Sequence, residues 1–427
     1  MKRSPWLALA ALLLAAAGSD AGAYDYPLKD PYLATIIGTP SEYGPELPDR
    51  VDAAPLLLRV FPDRATPQVF WYQRASQYSL AAQRQKAPLM FVIAGTGSSH
   101  NAASMQLLER IFFQAGFHVI RLPSPTQMNF ITTASTTGVP GHIVDDAADL
   151  YRVMTLACEQ VGSRIQVSDI HLTGYSLGAS QAAFVAKLDD EKRLLNFKKV
   201  YMINPPVSLF ASAKVLDDML ARALPGGMDE FDAFFRRILG RFAEIYRIMG
   251  YVDFSDDYLY AVYRTVYKEL APNPNDLAGI IGAAFRFASM NMVFTADVMA
   301  NYGLIVPRNL VLGRSDSLTD YYKVTSRISF IDYFEEFFYP FFKARTPGVT
   351  REALIHGTSL RSIEAYLRSA TKIGLAHNED DVILAPGDIG YLKELFGPRA
   401  RIYPWGGHLG NMGFRDNVAH MLDFFKN

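Results

Sequence analysis

Ser176 stands in Gly174-Tyr175-Ser176-Leu177-Gly178, a G-x-S-x-G spacing suited to a nucleophilic hydroxyl. An attacking serine must sit on a sharp strand-to-helix turn, where bulky side chains two positions to either side would collide. Such a turn lifts the hydroxyl above the sheet edge, and backbone N–H groups at the helix start face a developing oxyanion. The bare pattern recurs by chance, so its context carries the weight. Here it follows the strand-length run 170–175 and precedes 179–188, a good helix former.

A serine of this kind needs a base. Among eight histidines, His118 and His171 fall inside strand-like runs and His420 in the last helical pattern. His408 follows the run 401–405 in Trp405-Gly406-Gly407-His408. Two glycines let the chain turn sharply there, so the imidazole can lean back over the sheet edge. A neutral imidazole can take the hydroxyl proton and return it to a leaving group. The third member is a carboxylate that orients the ring and stabilises its charged form. His377-Asn378-Glu379-Asp380-Asp381 supplies three acids after the strand-like 372–376. Asp381, directly before an apolar Val-Ile-Leu, is the first choice and Asp380 the alternative. The bland reading is an acidic run that caps the helix near Gly387.

Gly95-Thr96-Gly97 closes the apolar run 88–94. Small residues there let a ligand approach backbone N–H groups, so Thr96 and Gly97, with Leu177, are the candidate oxyanion donors. A dinucleotide-binding loop is the rival reading. It lacks the third glycine, and Leu122-Pro123 stands where an acidic residue should end the next strand.

The elements that must position these groups alternate between strand-length apolar runs and helical patterns, the signature of an α/β architecture. Early strands are expected at 55–60 and 68–74, then at 88–94, 117–122, 170–175 and 199–204. Helices are expected at 102–115 and 145–161. From 207 to 370 helical periodicity dominates, clearest at 229–248, 257–270 and 276–299. The α/β style returns with strands at 372–376 and 401–405 and helices at 387–396 and 414–425.

Half of the residues are apolar and 13% aromatic, ample for a large core, and the net charge is −1. No basic run stands out, which excludes nucleic-acid binding as an expectation. The single cysteine, Cys158, has no partner for a disulfide and reads as a buried apolar residue. Lys2 and Arg3, the apolar run 6–17 and Ala21-Gly22-Ala23 form a signal-peptide pattern. The run is about a dozen residues, short of the roughly 20 that span a bilayer. Cleavage after Ala23 and a periplasmic or secreted product are therefore expected, with an uncleaved anchor as the alternative.

With serine, acid and histidine in that chain order, the sequence resembles the α/β-hydrolase superfamily over about residues 54–206 and 371–427. The resemblance implies an α/β-hydrolase fold, a mostly parallel eight-stranded sheet flanked by helices. It divides the chain into a leader (1–23), a core (24–206 and 371–427) and a large helical cap (207–370) inserted between strands 6 and 7. It also implies a serine hydrolase with catalytic Ser176, Asp381 and His408, an acyl-enzyme intermediate, and no cofactor or metal. Two departures stand out: the oxyanion loop is Gly-Thr-Gly rather than His-Gly-Gly-Gly, and the cap is long. No subfamily's substrate can therefore be carried over.

Carboxylic ester hydrolysis is the favoured reaction, because an alkoxide leaves more easily than an amine. Thioester and amide or peptide hydrolysis are alternatives on the same scaffold, as is a non-catalytic ligand-binding protein. Partners reduce to a small-molecule ester or a lipid. The stretch 330–342 carries Phe330, Tyr333, Phe334, Phe337, Phe338 and Phe342 among its aromatics. These rings either pack the cap onto the core or line an acyl tunnel, and an aromatic cap could also make transient contact with a membrane surface.

Overall fold

The computed structural model describes residues 24–249, 253–270 and 273–426. The leader assigned to 1–23 lies outside the described residues. Eight strands form one sheet: β1 (Ala53–Leu58), β2 (Ser76–Ala81), β3 (Ala87–Ile93), β4 (His118–Leu122), β5 (Val167–Tyr175), β6 (Lys199–Ile203), β7 (Ile373–Asn378) and β8 (Ala400–Tyr403). Their spatial order is β1-β2-β4-β3-β5-β6-β7-β8. Only β2 runs against its neighbours, pairing antiparallel with β1 and with β4. The central strand β3, Ala-Pro-Leu-Met-Phe-Val-Ile, is buried along almost its whole length, as a parallel strand covered on both faces must be.

Helices cover both faces. A short α1 (Pro31–Ile37) precedes the sheet, and α2 (Ala103–Gln114), α3 (Met128–Thr133), α4 (Ile143–Val161) and α5 (Leu177–Lys192) alternate with its strands. Met105, Leu108, Ile111 and Phe112 put one stripe of α2 onto one face of the sheet. On the other face α4 and α5 bury Leu150, Val153, Met154 and the small Ala179, Ala182, Ala183 and Ala186.

Between β6 and β7 the described chain is helical: α6 (Leu209–Ala223), α7 (Phe231–Met249), α8 (Asp256–Leu270), α9 (Pro274–Ala300), α10 (Thr319–Thr325), α11 (Phe330–Tyr333), α12 (Tyr339–Arg345), α13 (Arg351–Gly357) and α14 (Glu364–Ser369). A π-helical turn, Phe334–Phe338, joins α11 to α12. The two ends of this insertion are pinned together, since the Ser359 hydroxyl and the Leu360 N–H both donate to the Val207 carbonyl at 2.8 Å. A buried ion pair at 3.1 Å, Arg286 of α9 with Asp217 of α6, ties its longest helix to its first. Asp217 also accepts the Ile331 N–H at 3.0 Å, which brings α11 into the same joint. Leu360, Ile363 and Leu367 pack into the core under the sheet, so by packing the core resumes before residue 370. Helices α15 (Asp388–Phe396) and α16 (Arg415–Lys426) complete the chain.

Two expected strands differ. The second is Ser76–Ala81 rather than 68–74. Residues Gln68–Phe70 form a single helical turn after Pro67, because Val69 and Phe70 are buried against the aromatic cluster of the insertion instead of in the sheet. The strand expected at 372–376 runs on to Asn378, so His377 and Asn378 belong to β7 and the acid loop starts later.

Candidate active site

Strands β4 and β3 progress toward one edge of the sheet, whereas β5 and β6 progress toward the other. The loops after β3 and β5 therefore diverge, leaving a crevice at the carboxyl ends of the strands. The loop after β3 carries Thr96, and β5 delivers Ser176. Ser176 sits at φ 54°, ψ −126°, a backbone conformation that side chains rarely adopt. The turn closes because Gly174 and Gly178 have no side chains. A Cβ on Gly174 would lie 2.3 Å from the Gly178 carbonyl oxygen, and one on Gly178 would lie 2.4 Å from that of Ile93.

His408 Nε2 lies 2.9 Å from Ser176 Oγ. The other face of the ring, Nδ1, lies 2.9 and 3.1 Å from the two oxygens of Asp381. The Asp381 carboxylate is fully buried and also accepts from the Asn204 amide at 2.9 Å and the Ile383 N–H at 3.1 Å. Burial alone would raise its pKa. The charge and hydrogen bond of His408, the nearby His377 and the Asn204 amide together outweigh that and hold it below the usual carboxylate range.

The alternative acid has a different partner. Asp380 accepts the N–H groups of Gly406 and Gly407, at 3.2 and 2.9 Å, and so shapes the loop rather than the ring. His377 also approaches Asp381, at 3.5 Å. Its Nδ1 accepts the Asn378 N–H and its Nε2 faces the Pro205 carbonyl, so it is a neutral donor whose pKa is lowered by burial.

The other histidines are engaged elsewhere. His118 bonds Gln83 and Gln166, His171 lies between Phe117 and Phe425, and His420 meets Tyr201. His142 stacks on Phe342, and His356 is exposed. His100, in the loop after β3, is buried and pushed down to about 4 by burial and the Arg121 charge.

One oxyanion assignment is corrected. The Gly97 N–H donates to Thr126 Oγ1 at 2.8 Å, so it is occupied in holding the loop. Thr96 and Leu177 both line the cavity at Ser176, and among the described residues no protein acceptor takes either N–H. Leu177 is also the first residue of α5, where the helix dipole favours negative charge.

The cavity above Ser176 is walled by Leu209, Ala213 and Leu216 of α6, Phe285 and Met292 of α9, and Phe330 of α11. The aromatic stretch 330–342 mostly does something else. Tyr333, Phe334, Phe337, Phe338 and Phe342 are buried in a cluster with Phe294 and Val306, and only Phe330 of this stretch lines the cavity. These rings pack the insertion onto the core. Of the two readings of this stretch, packing is the one these five rings follow, and they do not line the cavity over Ser176. No group of three or more His, Cys, Asp or Glu side chains is gathered for a metal among the described residues.

Asn204 and Thr126 were not singled out by sequence reading. Asn204 had one available signal: it follows β6 immediately before two prolines, and it takes the left-handed conformation (φ 48°) that asparagine tolerates well.

The fold is that of the α/β-hydrolases. Strand order, the single reversed strand, the elbow after β5 and the insertion after β6 establish it from the chain itself. No family model matches the chain, and no curated protein sequence does. Among solved structures it is similar to the alpha/beta hydrolase GrgF from Penicillium sp. sh18, at 13% identity and a TM-score of 0.42 over 88% of this chain and 98% of that one. It is also similar to a hyperthermophilic esterase from the archaeon Pyrobaculum calidifontis, at 13% identity and a TM-score of 0.41 over 100% and 97%. A third likeness is to Est1E from Butyrivibrio proteoclasticus, at 11% identity and 0.36 over 83% and 96%. At these TM-scores the likenesses add nothing to what the topology establishes.

Proposed function

We propose that this chain is an exported serine hydrolase that cleaves carboxylic esters with apolar acyl groups. The observation that carries this reading is the continuous relay from Ser176 Oγ through His408 to the buried Asp381, with both hydrogen-bonded steps at 2.9 Å. In the reaction, His408 Nε2 takes the Ser176 proton as Oγ attacks the ester carbonyl carbon. The carbonyl oxygen becomes an oxyanion facing the Thr96 and Leu177 N–H groups. Collapse breaks the C–O bond, the alcohol leaves with the proton from His408, and an acyl-Ser176 ester remains. A water molecule, deprotonated by the same imidazole, releases the acid and restores the serine. Asp381 stays ionised throughout and stabilises the imidazolium.

The apolar walls contributed by α6, α9 and α11 suit a hydrocarbon acyl chain and offer little to a charged substrate. A fluorophosphonate probe tests the reading directly. It should label the wild-type protein and leave Ser176→Ala unlabelled, and a wild type that stays unlabelled would instead favour a non-catalytic binding protein. Export is supported by the Lys2-Arg3 start and the Ala21-Gly22-Ala23 motif. N-terminal sequencing of the periplasmic fraction should begin at Tyr24, whereas an intact residue 1 in the membrane pellet would favour the anchor.

A further inference from the structure

The general base is gripped from a segment far away in sequence. Thr35, in α1, accepts the His408 backbone N–H on its Oγ1 at 2.8 Å while donating the same hydroxyl to the Pro31 carbonyl at 2.6 Å. Donation to Pro31 fixes the hydroxyl's orientation, so its lone pair is aimed at the residue that carries the imidazole. The contact is close along its length. A Cβ on Gly407 would lie 2.2 Å from the Pro31 carbonyl oxygen, so α1 packs directly on the backbone of the His408 loop. Further bonds tie the same two segments. Thr39 Oγ1 donates to the Gly410 carbonyl at 2.6 Å, Trp405 Nε1 to the Tyr26 carbonyl at 2.8 Å, and the Asn411 amide to Tyr24 Oη at 2.7 Å. The strap also reaches the insertion, where the Thr39 and Ser41 N–H groups donate to Asp256 and Asp257 at the start of α8.

We infer that Thr35 is a positioning residue for His408, and that 24–41 is a strap that completes the active site by fixing the general base. The inference rests on the hydrolase reading for its kinetic consequence but not for its structural one. Asp380 holds the two glycines before His408 and Asp381 holds its ring, which leaves the His408 N–H as the one backbone donor of that residue, and Thr35 satisfies it. Without that acceptor the His408 N–H loses its partner while the rest of the loop stays tied, so the backbone shifts locally at His408. Misplacing a catalytic group by about 1 Å costs up to about a hundredfold in rate.

The test compares Thr35→Val, which keeps the shape and loses the acceptor, with Thr35→Ser, which keeps it, and with Thr39→Val, which loses a bond to the same loop away from His408. In Thr35→Val, kcat should fall roughly ten- to a hundredfold with KM nearly unchanged. Thr35→Ser should recover most of the rate, and Thr39→Val should lose only a few-fold. A second readout is independent of turnover: the downfield proton resonance of the His408–Asp381 hydrogen bond should persist in wild type and Thr35→Ser and broaden or shift in Thr35→Val. An unaltered resonance in Thr35→Val overturns the positioning role whether or not the protein hydrolyses esters. Equal kcat losses in Thr35→Val and Thr39→Val would likewise overturn it, in favour of general loosening of the strap. A wild type that shows the resonance but no fluorophosphonate labelling would refute the hydrolase reading and leave the geometric claim standing.

Discussion

Two adjacent carboxylates, Asp381 as the first choice from sequence and Asp380 as the alternative, have different partners. Asp381 faces the His408 ring and Asp380 the Gly406 and Gly407 N–H groups, so their amides should fail differently. Asp381→Asn replaces a charge that stabilises the imidazolium and favours the wrong tautomer, which costs on the order of 10⁴ in kcat for a triad acid. Asp380→Asn keeps an acceptor for the loop and should lose far less. Esterase assays on both folded variants decide it, and the reverse ranking would move the triad role to Asp380. Ser176→Ala and His408→Ala should each remove several decades, with the double variant hardly worse than either. A Ser176→Ala protein keeping more than about a tenth of the wild-type rate would end the assignment. At this scale the sequence was legible where chemistry dictates local geometry. Ser176 stands directly after β5, and Asp381 and His408 stand in the loops that follow β7 and β8, so their neighbours in sequence point to them. Asn204 and Thr35 do not, because their roles arise from contacts 177 and 373 residues away that no local pattern encodes.

Elements carry their own constraints, and the elbow is the tightest. A methyl group on Gly178 would meet two carbonyl oxygens of the β3 end, Ile93 at 2.4 Å and Ala94 at 2.6 Å, and backbone cannot yield as a flexible side chain would. Gly178→Ala should therefore destabilise by about 1–3 kcal/mol or more and lower activity by displacing Ser176. Unfolding by urea measures the first effect, and an unchanged midpoint would contradict the packing. A second expectation concerns α4. Burial raises the Asp146 carboxyl well above its usual range, only partly offset by the Gly141 N–H that donates to it at 2.9 Å. A raised acid holds its proton more tightly folded than unfolded. Its contribution is thus fully present below the unfolded carboxylate pKa near 4 and is lost as pH rises toward the folded value. Asp146→Asn removes that loss, which amounts to about 1.4 kcal/mol for every tenfold difference in proton affinity between the folded and unfolded chain. Thermal unfolding should show the variant more stable than wild type at pH 7–8, the gap closing toward pH 4. A variant less stable than wild type at pH 8 would reject the upward shift of this carboxyl. The strand misplaced at 68–74 shows where element reading stops. Val69 and Phe70 look like strand residues, but the surface that buries them includes Met292, Val293 and Phe294 of α9, more than 200 residues later in the chain.

Across the whole molecule, the site is assembled from parts that share no secondary structure: a sheet edge, a strap before it and a helical insertion after β6. Sequence could mark the insertion by its change of period, but not which of its faces meets Ser176, since an apolar helix face reads alike whether it packs or lines a cavity. The aromatic run 330–342 drew attention and proved to be mainly packing, while the less conspicuous α6 and α9 form the walls. On the proposed function, substrate selectivity falls to Leu209, Ala213, Leu216 and Phe285, which line the cavity, rather than to the aromatic cluster. Each acyl methylene buried against such walls contributes up to about 0.8 kcal/mol, so kcat/KM should climb severalfold per added pair of carbons until the cavity is filled. Leu216 is only half-buried, so a larger side chain there can be accommodated at the cavity wall with less overpacking than in the core. Leu216→Trp should therefore leave short esters nearly untouched and shift the optimum of a C2 to C16 p-nitrophenyl series to shorter chains. Phe337→Leu, in the packing cluster, should lower stability without moving that optimum. A fall in kcat/KM from C2 onward in the wild type, or an optimum that moves with Phe337→Leu and not with Leu216→Trp, would take the acyl site away from α6 and α9.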